Sequence, residues 1–297
     1  MNDTPLFTLI IPTYNRPTYL RQAVQSVIDQ TYTSWELLII DDGSEPPVKP
    51  LLEDIEDPRI AYYYHANQGL GASRQVGVRK SRGKLLCYLD DDDYLLPTHL
   101  EVVAADFHRN EQRECLYKTG MITQTADGAL TEGPIFDNGR SALLQHWENP
   151  IGIFPYVIPA SLARRVPSIN FFLSEDFNWL GRLMTEVPVR QLPFYTVVFR
   201  LHDQNRTYVL RDRSALRSRL EAVRDLYERP GVRGVIPSRL YRRVMSHQCW
   251  HWTRLCLRAH AYGEAGWGFA QGLRTFTPSG TKELLYTIYV FLRTLRK

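Results

Sequence analysis

Three short apolar runs in the first third of the chain each end in a polar cluster, and this pattern most restricts what the chain can become. Phe7-Thr8-Leu9-Ile10-Ile11 is closed by Pro12 and followed by Thr13-Tyr14-Asn15-Arg16. Trp35 to Ile40 runs into Asp41-Asp42-Gly43-Ser44, and Leu85 to Leu89 runs into the four aspartates Asp90 to Asp93. Runs this short and this apolar read as buried strands. The intervals between them read as helices. Pro17 opens one in which Leu20, Ala23, Val24, Val27 and Ile28 recur at i, i+3, i+4, i+7 and i+8, a single apolar face. Ile60 to Tyr64 is a further strand, a glycine-containing helix follows it, and Pro97 precedes a helix with Leu100, Val103, Ala104 and Phe107 turned inward. Strands separated by helices predict a parallel sheet covered on both faces. Ligands of such sheets bind at the carboxyl ends of the strands, so the three polar clusters are expected to meet on one edge.

Composition supports a folded chain and divides it. Of 297 residues, 44% are hydrophobic and 23% charged, which excludes a disordered or fibrous polypeptide. No apolar run approaches the ~20 residues of a spanning helix, and Met1 to Pro5 does not open a basic-then-apolar leader, so no secretory signal is expected. Four cysteines in so long a chain do not suggest a disulfide scaffold, and a reducing cytoplasm is the expected compartment. The net charge of +4 hides an asymmetry. Residues 1–210 hold 19 basic and 26 acidic side chains, whereas residues 211–297 hold 17 basic and 6 acidic. Residues 115–210 show no clean period, and residues 211–297 read as mostly helical, with breaks at Pro230-Gly231 and Pro278-Ser279-Gly280.

The aspartate run has two readings, a solvated acidic turn or a divalent cation site. The buried strand expected before it and the absence of a neighbouring lysine or arginine favour the cation. Hard oxygen ligands select Mg²⁺ or Mn²⁺, which takes one or two carboxylates plus substrate phosphates. Other phosphate-binding designs do not fit. The chain has no Gly-x-x-x-x-Gly-Lys-Ser/Thr loop, and Pro12-Thr13-Tyr14 stands where a dinucleotide fold needs its glycines. In a dehalogenase-type phosphatase the Asp-x-Asp would lie on the first strand, with Thr or Val two residues on, whereas Asp92 is followed by Asp93-Tyr94.

Four segments in order, Phe7–Arg16 (FTLIIPTYNR), Trp35–Ser44 (WELLIIDDGS), Asn67–Gly77 (NQGLGASRQVG) and Leu89–Pro97 (LDDDDYLLP), resemble the family-2 glycosyltransferases of the GT-A fold. The resemblance is dense over residues 6–110, thins to about 210 and does not reach the tail. It implies an α/β fold, a GT-A-like mostly parallel sheet flanked by helices, followed by a mainly helical C-terminal region. The implied organisation is a nucleotide-sugar-binding half at 1–114, an acceptor-binding and catalytic-base half at 115–210, and a basic helical region at 211–297. The implied activity is inverting transfer of a hexosyl or N-acetylhexosaminyl group from a nucleotide-sugar, UDP-linked, to a saccharide or lipid-linked acceptor in polysaccharide or glycolipid synthesis.

The resemblance also assigns residues. Tyr14 would stack on the base, Asp42 would accept from its ring N–H, and Pro12 and Thr13 would shape the pocket, a sensible uracil reader. Asp41 would join them or cap its own turn. Arg16, Asn67 and Gly69 belong to the same nucleotide-sugar set. Arg74 would clamp donor sugar or diphosphate, although Ser73 and Gln75 depart from the family's Ala and Asn. Asp90 and Asp92 align with the Asp-x-Asp motif as metal ligands; Asp91 would contact ribose or metal, and Asp93 would orient the sugar. In Ser174-Glu175-Asp176-Phe177-Asn178-Trp179, Asp176 is the candidate base with Glu175 beside it; the same residues make a good helix start, and both roles can hold together. His202 falls where a late histidine completes the metal shell, or is structural.

Two features of the tail have competing readings. His247, Cys249, His251 and Cys256 suggest zinc, but on one helix the histidines and cysteines point nearly opposite ways, so no zinc is expected. Over residues 281–297, Leu284, Leu285, Ile288, Phe291, Leu292 and Leu295 share a side, with Lys282, Arg293, Arg296 and Lys297 nearby. That helix either packs on its own domain or lies on an anionic membrane surface, making the protein peripheral on the inner face. No nucleic-acid motif accompanies the basic surplus. The rival functions are a catalytically inactive nucleotide-sugar-binding module and a sugar-nucleotide pyrophosphorylase; the latter expects a glycine-rich basic loop after the first strand, which is missing.

Overall fold

The computed structural model describes residues 4–169, 171, 174–202, 205, 213–276 and 280–294. It divides into two compact units. One comprises Met1–Ala142, Gly152–Asn170 and Arg182–His202; the other comprises Leu143–Ile151, Phe171–Gly181 and Asp203–Lys297. Leu295, Arg296, Lys297, Pro278 and Ser279, named above, lie outside the described residues.

The first unit begins with β1 (Phe7–Thr13), α1 (Pro17–Ile28), β2 (Trp35–Asp41), β3 (Ile60–Tyr64), α2 (Leu70–Lys80) and β4 (Leu85–Tyr88). β1 lies between β2 and β4, with β3 beyond β2, and all these pairings are parallel. Every residue of β1, β2 and β4 is buried, as expected of central strands that helices cover on both faces. α1 starts with Pro17 in its first turn and buries Leu20, Ala23, Val24 and Val27, the face read from the sequence. β1 does not stop at Ile11. It passes through Pro12 to Thr13, whose carbonyl accepts the Asp42 N–H at 2.9 Å, so the ladder continues past the missing proline donor.

The chain continues through β5 (Tyr94–Leu95), α3 (His99–Arg109), β6 (Leu116–Gln124), β7 (Leu130–Glu132), α4 (Ala142–Glu148), β8 (Tyr156–Pro159), α5 (Ala160–Arg165), α6 (Glu175–Glu186) and β9 (Val189–Arg200). The sheet order is β3-β2-β1-β4-β8-β6-β9-β5, with β7 on β6. β8 enters antiparallel to both β4 and β6, β9 runs parallel to β6, and β5 and β7 are antiparallel edges. The sheet is therefore mixed: parallel throughout its N-terminal strands and divided beyond β4. A register irregularity between Lys118 and Met121 breaks the two-residue alternation of β6, which is why this half carries no clear period in the sequence. Lys118 is buried in β6, its Nζ donating to Gln191 Oε1 at 2.9 Å and lying over the rings of Phe136 and Tyr156.

The second unit is helical, with α7 (Arg213–Glu228), α8 (Pro230–Arg233), α9 (Ser238–Arg258), α10 (Tyr262–Arg274) and α11 (Thr281–Thr294). The break read at Pro230-Gly231 is the junction of α7 and α8. Leu216, Cys249, Trp252, Cys256, Leu257, Ala265 and Val290 form a core. Gly268 and Gly272 let α10 approach Trp252 and Trp250; a Cβ at either would stand within 2.7 Å of an indole carbon. α9 is unbroken, so Cys249 and Cys256 enter the core while the His247 and His251 rings stack on each other at 6.3 Å. All four cysteines are buried. Among the described residues no helix is long and apolar enough to cross a membrane.

Candidate active site at the carboxyl edge of the sheet

The parallel pairing of β1 with β2 and β4 carries their polar ends to the same edge, with Thr13 opposite Asp41 in register. Thr13 Oγ1 donates to Asp91 Oδ2 at 2.6 Å. The Arg16 guanidinium reaches Asp92 Oδ2 at 2.5 Å and Asp91 Oδ1 at 3.4 Å. From α2, the buried Arg74 donates to Asp90 Oδ1 at 3.1 Å. Beyond the end of β9, His202 Nε2 stands 3.1 Å from Asp92 Oδ2. The acidic run, Thr13, Arg16, Arg74 and His202, distant in sequence, are thus brought together.

The turn after β2 forms the neighbouring wall. Gly43 adopts a left-handed φ of 84°, and a Cβ there would stand 2.7 Å from the Asn67 nitrogen, so only glycine lets the 65–67 loop close over the turn. Asp42 holds that loop, accepting N–H bonds from Gln68 at 2.8 Å and Gly69 at 2.9 Å, with His65 Nδ1 at 3.5 Å. Asp41 is buried and accepts from the Ser44 and Val48 N–H groups and from the Tyr62 hydroxyl. Burial pushes its carboxyl up, but these bonds outweigh burial and hold it below the usual carboxylate range. Its contacts are those of the turn cap. Tyr14 is 48% exposed and precedes Asn15 (left-handed, φ 52°), whose N–H donates to Ser44 Oγ and whose side-chain Oδ1 accepts from the Glu45 N–H, tying it to the same turn. Pro12 is buried within β1, Asn67 is exposed in the loop, and Gly69 precedes the first residue of α2.

The acidic run is crowded electrostatically. Asp90, Asp92 and Asp93 each bring a carboxylate oxygen within 4.8 Å of the others, a set that does not include Asp91. Burial pushes Asp91 up to about 7, opposed by the Thr13 hydrogen bond and Arg16 and assisted by Asp92 and Asp90. Asp92 is raised by burial and then by Asp90, against Arg16 and His202. Asp93 is raised well above its ordinary range by burial and then by Asp90 and Asp92. Asp93 Oδ2 is buried with no hydrogen-bond partner among the described residues. Clustered carboxylate oxygens, crowded like charges and an orphaned buried oxygen fit a hard divalent cation such as Mg²⁺ or Mn²⁺.

Arg200 is a residue the sequence reading passed over. Its N–H donates to Asp93 Oδ1 at 2.9 Å, and its guanidinium donates to the Asp93 carbonyl at 3.3 Å and to Gln22 Oε1. The guanidinium lies over Tyr19 at 4.8 Å and Tyr94 at 4.9 Å, and the Tyr19 ring is 5.1 Å from that of His202. Arg200 thereby ties the end of β9 to the acidic run and to α1. The available signal was its place two residues before His202 on a strand that reaches the acidic edge. Glu175 and Asp176 belong to the other unit, in the first turn of α6, where Glu175 is buried and Asp176 half-buried.

The sequence model for "Glycosyl transferase family 2" matches residues 8–119, which contain the acidic run, the β2 turn and the α2 arginine. Over this stretch, and not over the chain as a whole, the sequence is similar to glycosyl transferase family 2. The chondroitin synthase of Escherichia coli is 30% identical over 153 residues, 49% of this chain but 22% of that protein. An uncharacterized glycosyltransferase of Haemophilus influenzae is 36% identical over 102 residues, 33% of this chain and 41% of that protein. The chain thus spans less than half the length of either curated relative. Among solved structures, S. aureus TarS 1-349 in complex with UDP-GlcNAc superposes with a TM-score of 0.68 at 12% identity, covering 98% of this chain and 89% of that one. That likeness establishes a GT-A-type fold for this chain.

Proposed function

We propose that this chain is an inverting glycosyltransferase of the family 2 type that moves a hexosyl or N-acetylhexosaminyl group from a UDP-linked donor to a hydroxyl of a saccharide or lipid-linked acceptor. The observation that carries the proposal is the convergence of Thr13, Arg16, Arg74 and His202 on the acidic run beside the Asp42 turn. The likeness in fold to a protein solved with UDP-GlcNAc supports the choice of donor.

In this reading Tyr14 offers its exposed ring to the base. A carboxylate has about four acceptor positions, and the loop N–H groups use two of those on Asp42, which leaves capacity for a ring N–H. Asp41 holds the turn from beneath, and Pro12, Thr13, Asn67 and Gly69 shape the pocket wall. Arg16 and Arg74 supply fixed positive charge toward the diphosphate, Asp91 faces the ribose, and Asp93 orients the donor sugar. Asp90, Asp92 and His202 would hold Mg²⁺ or Mn²⁺. When bound, the cation supplies charge stabilisation for the departing diphosphate. The acceptor oxygen attacks the anomeric carbon from the opposite side. The bond from that carbon to the diphosphate oxygen breaks, its electron pair leaves on that oxygen, and the hydroxyl proton passes to a carboxylate. Asp176 is assigned as that base, with Glu175 as its neighbour.

Residues 1–114 then bind the donor, 115–210 bind the acceptor and supply the base, and 211–297 form the basic helical region. A lipid-linked acceptor fits synthesis of a surface polysaccharide or glycolipid from the cytoplasmic face of a membrane. The test is UDP release from UDP-glucose, UDP-galactose and their N-acetyl forms with Mn²⁺ present. Release with any one of them, reduced about 10²–10⁴-fold in Asp176→Asn with donor binding kept, is the expected result. No release from any donor would support the inactive nucleotide-sugar-binding module in place of the enzyme.

A further inference from the structure

α11 turns its apolar side outward. Thr287 and Val290 are the buried residues of this helix. Glu283, one turn before Thr287, accepts from Arg254 at 2.7 Å, and Arg254 also donates to Thr287 Oγ1 at 3.1 Å. At ~100° per residue, Leu285, Ile288 and Leu292 fall on the opposite side, and Phe291 lies at the edge of that stripe nearer Thr287. They are exposed, Leu285 by 59% and Leu292 by 54%. The sequence left open whether this stripe packs on its own domain or meets lipid; in the structure the helix docks through its more polar side.

The borders of the stripe point to the occupant. The exposed cations Lys282 and Arg293 lie along one flank. On that flank Tyr286 and Tyr289 stack with centroids 6.3 Å apart, and Arg258 donates to the Tyr286 hydroxyl at 3.3 Å. An apolar stripe bordered by tyrosines and cations is the pattern of a helix lying in a membrane interface, where aromatic rings sit at headgroup level. The fourteen described residues extend ~21 Å against a ~30 Å hydrocarbon core, and among the described residues no helix is long and apolar enough to cross a membrane; a helix lying in the interface is the arrangement that fits them. The 17 basic against 6 acidic side chains of residues 211–297 complement an anionic surface. An antiparallel second copy would bring two cationic borders together, which disfavours self-association through the same stripe in that orientation.

We propose that α11 is an in-plane anchor for an anionic bilayer, with Leu285, Ile288, Phe291 and Leu292 inserted and Lys282, Arg293 and Arg258 at the phosphates. This inference stands independently of glycosyl transfer. Co-sedimentation of the full chain with mixed phosphatidylglycerol–phosphatidylcholine vesicles tests it, against phosphatidylcholine alone. Binding to the mixed vesicles, weakened by salt, is expected. Lys282→Ala with Arg293→Ala should lower the partition coefficient roughly 25-fold, since each cation near an anionic surface contributes about five-fold. Leu285→Asp with Leu292→Asp should abolish binding with the urea midpoint unchanged, because both positions are exposed. Four results would overturn the proposal: no binding to anionic vesicles, equal binding to both kinds, binding indifferent to either double variant, or a dimer that the leucine variants dissociate.

Discussion

Lys118→Met should stabilise the sheet unit near neutral pH, and the gain should fade as pH rises. Lys118 is 1% exposed in β6, and burial is the sole cause that takes its amine from the ordinary 10.5 down to about 8. The difference, 10.5 − 8 = 2.5 units, corresponds to roughly 3 kcal/mol that the fold spends holding the charged form at pH 7. Methionine removes that cost and keeps the aliphatic volume against Phe136 and Tyr156. It forfeits the hydrogen bonds to Gln191 Oε1 and the Thr119 carbonyl, about 1 kcal/mol each. Gln191 Oε1 is not orphaned, because the Phe136 N–H still donates to it at 3.0 Å. The net expectation is a gain of about 1–2 kcal/mol. The pH dependence follows from the lowered folded pKa. Below about 8 both folded and unfolded lysine are charged and the cost is complete. Between about 8 and 10.5 the unfolded chain binds the extra proton, so wild-type stability rises with pH. At about pH 9.5 the advantage of methionine should therefore have shrunk by about 2 kcal/mol. Urea unfolding is best followed by hydrogen exchange of β1 and β6 peptides, because Trp35 is the single tryptophan of this unit and the other five of six would report the helical one. A variant less stable than wild type near pH 7, or a gain that is the same at both pH values, would refute the reasoning.

Other perturbations separate the parts of the site. Asp92→Ala should lose Mn²⁺-dependent UDP binding measured by calorimetry; undiminished metal dependence would place the cation elsewhere. Tyr14→Ala should weaken UDP binding roughly tenfold, the loss of one base stack, while the melting temperature stays unchanged because the ring is exposed. Arg200→Met should cost about 1–3 kcal/mol of stability by removing the charged donor to the Asp93 carbonyl and Gln22; an unshifted urea midpoint would show that Arg200 holds nothing in place. Gly43→Ala should weaken UDP binding through the displaced 65–67 loop, since its Cβ would meet the Asn67 nitrogen at 2.7 Å, and wild-type affinity would count against the closed turn.

What was legible in the sequence follows from how each element meets its neighbours. β1, β2 and β4 are buried along their whole lengths, so local apolarity marks them, and their parallel pairing follows from the helices between them. The polar residues at their ends could then be assigned to one edge before any contact was known. The later strands were hidden because burial changes along their lengths: β6 is buried at first and half-buried later, and β9 alternates irregularly past a register shift. Arg200 was obscured for a different reason. A buried arginine between Tyr19 and Tyr94 has no local sequence signal, because its partners come from α1 and from the acidic run, more than a hundred residues earlier. The orientation of α11 was likewise out of reach, since periodicity finds an apolar stripe but not which side of the helix docks.

The acidic edge explains why so many donors converge on four side chains. Each carboxylate has its own: Arg74 for Asp90, Thr13 for Asp91, Arg16 and His202 for Asp92, and the Arg200 N–H for Asp93. These donors fix position without fully relieving charge, because Asp91, Asp92 and Asp93 all remain above the ordinary carboxylate range. Had the run served only to terminate β4, one or two solvated aspartates would have done so without burying mutually repelling groups. Repulsion kept in place by an arginine from α1's entry, one from α2 and one from β9 is the arrangement expected where a divalent cation completes the charge balance. It also ties three elements of the sheet unit to that balance, so ordering of the edge and occupancy of the site are expected to rise together.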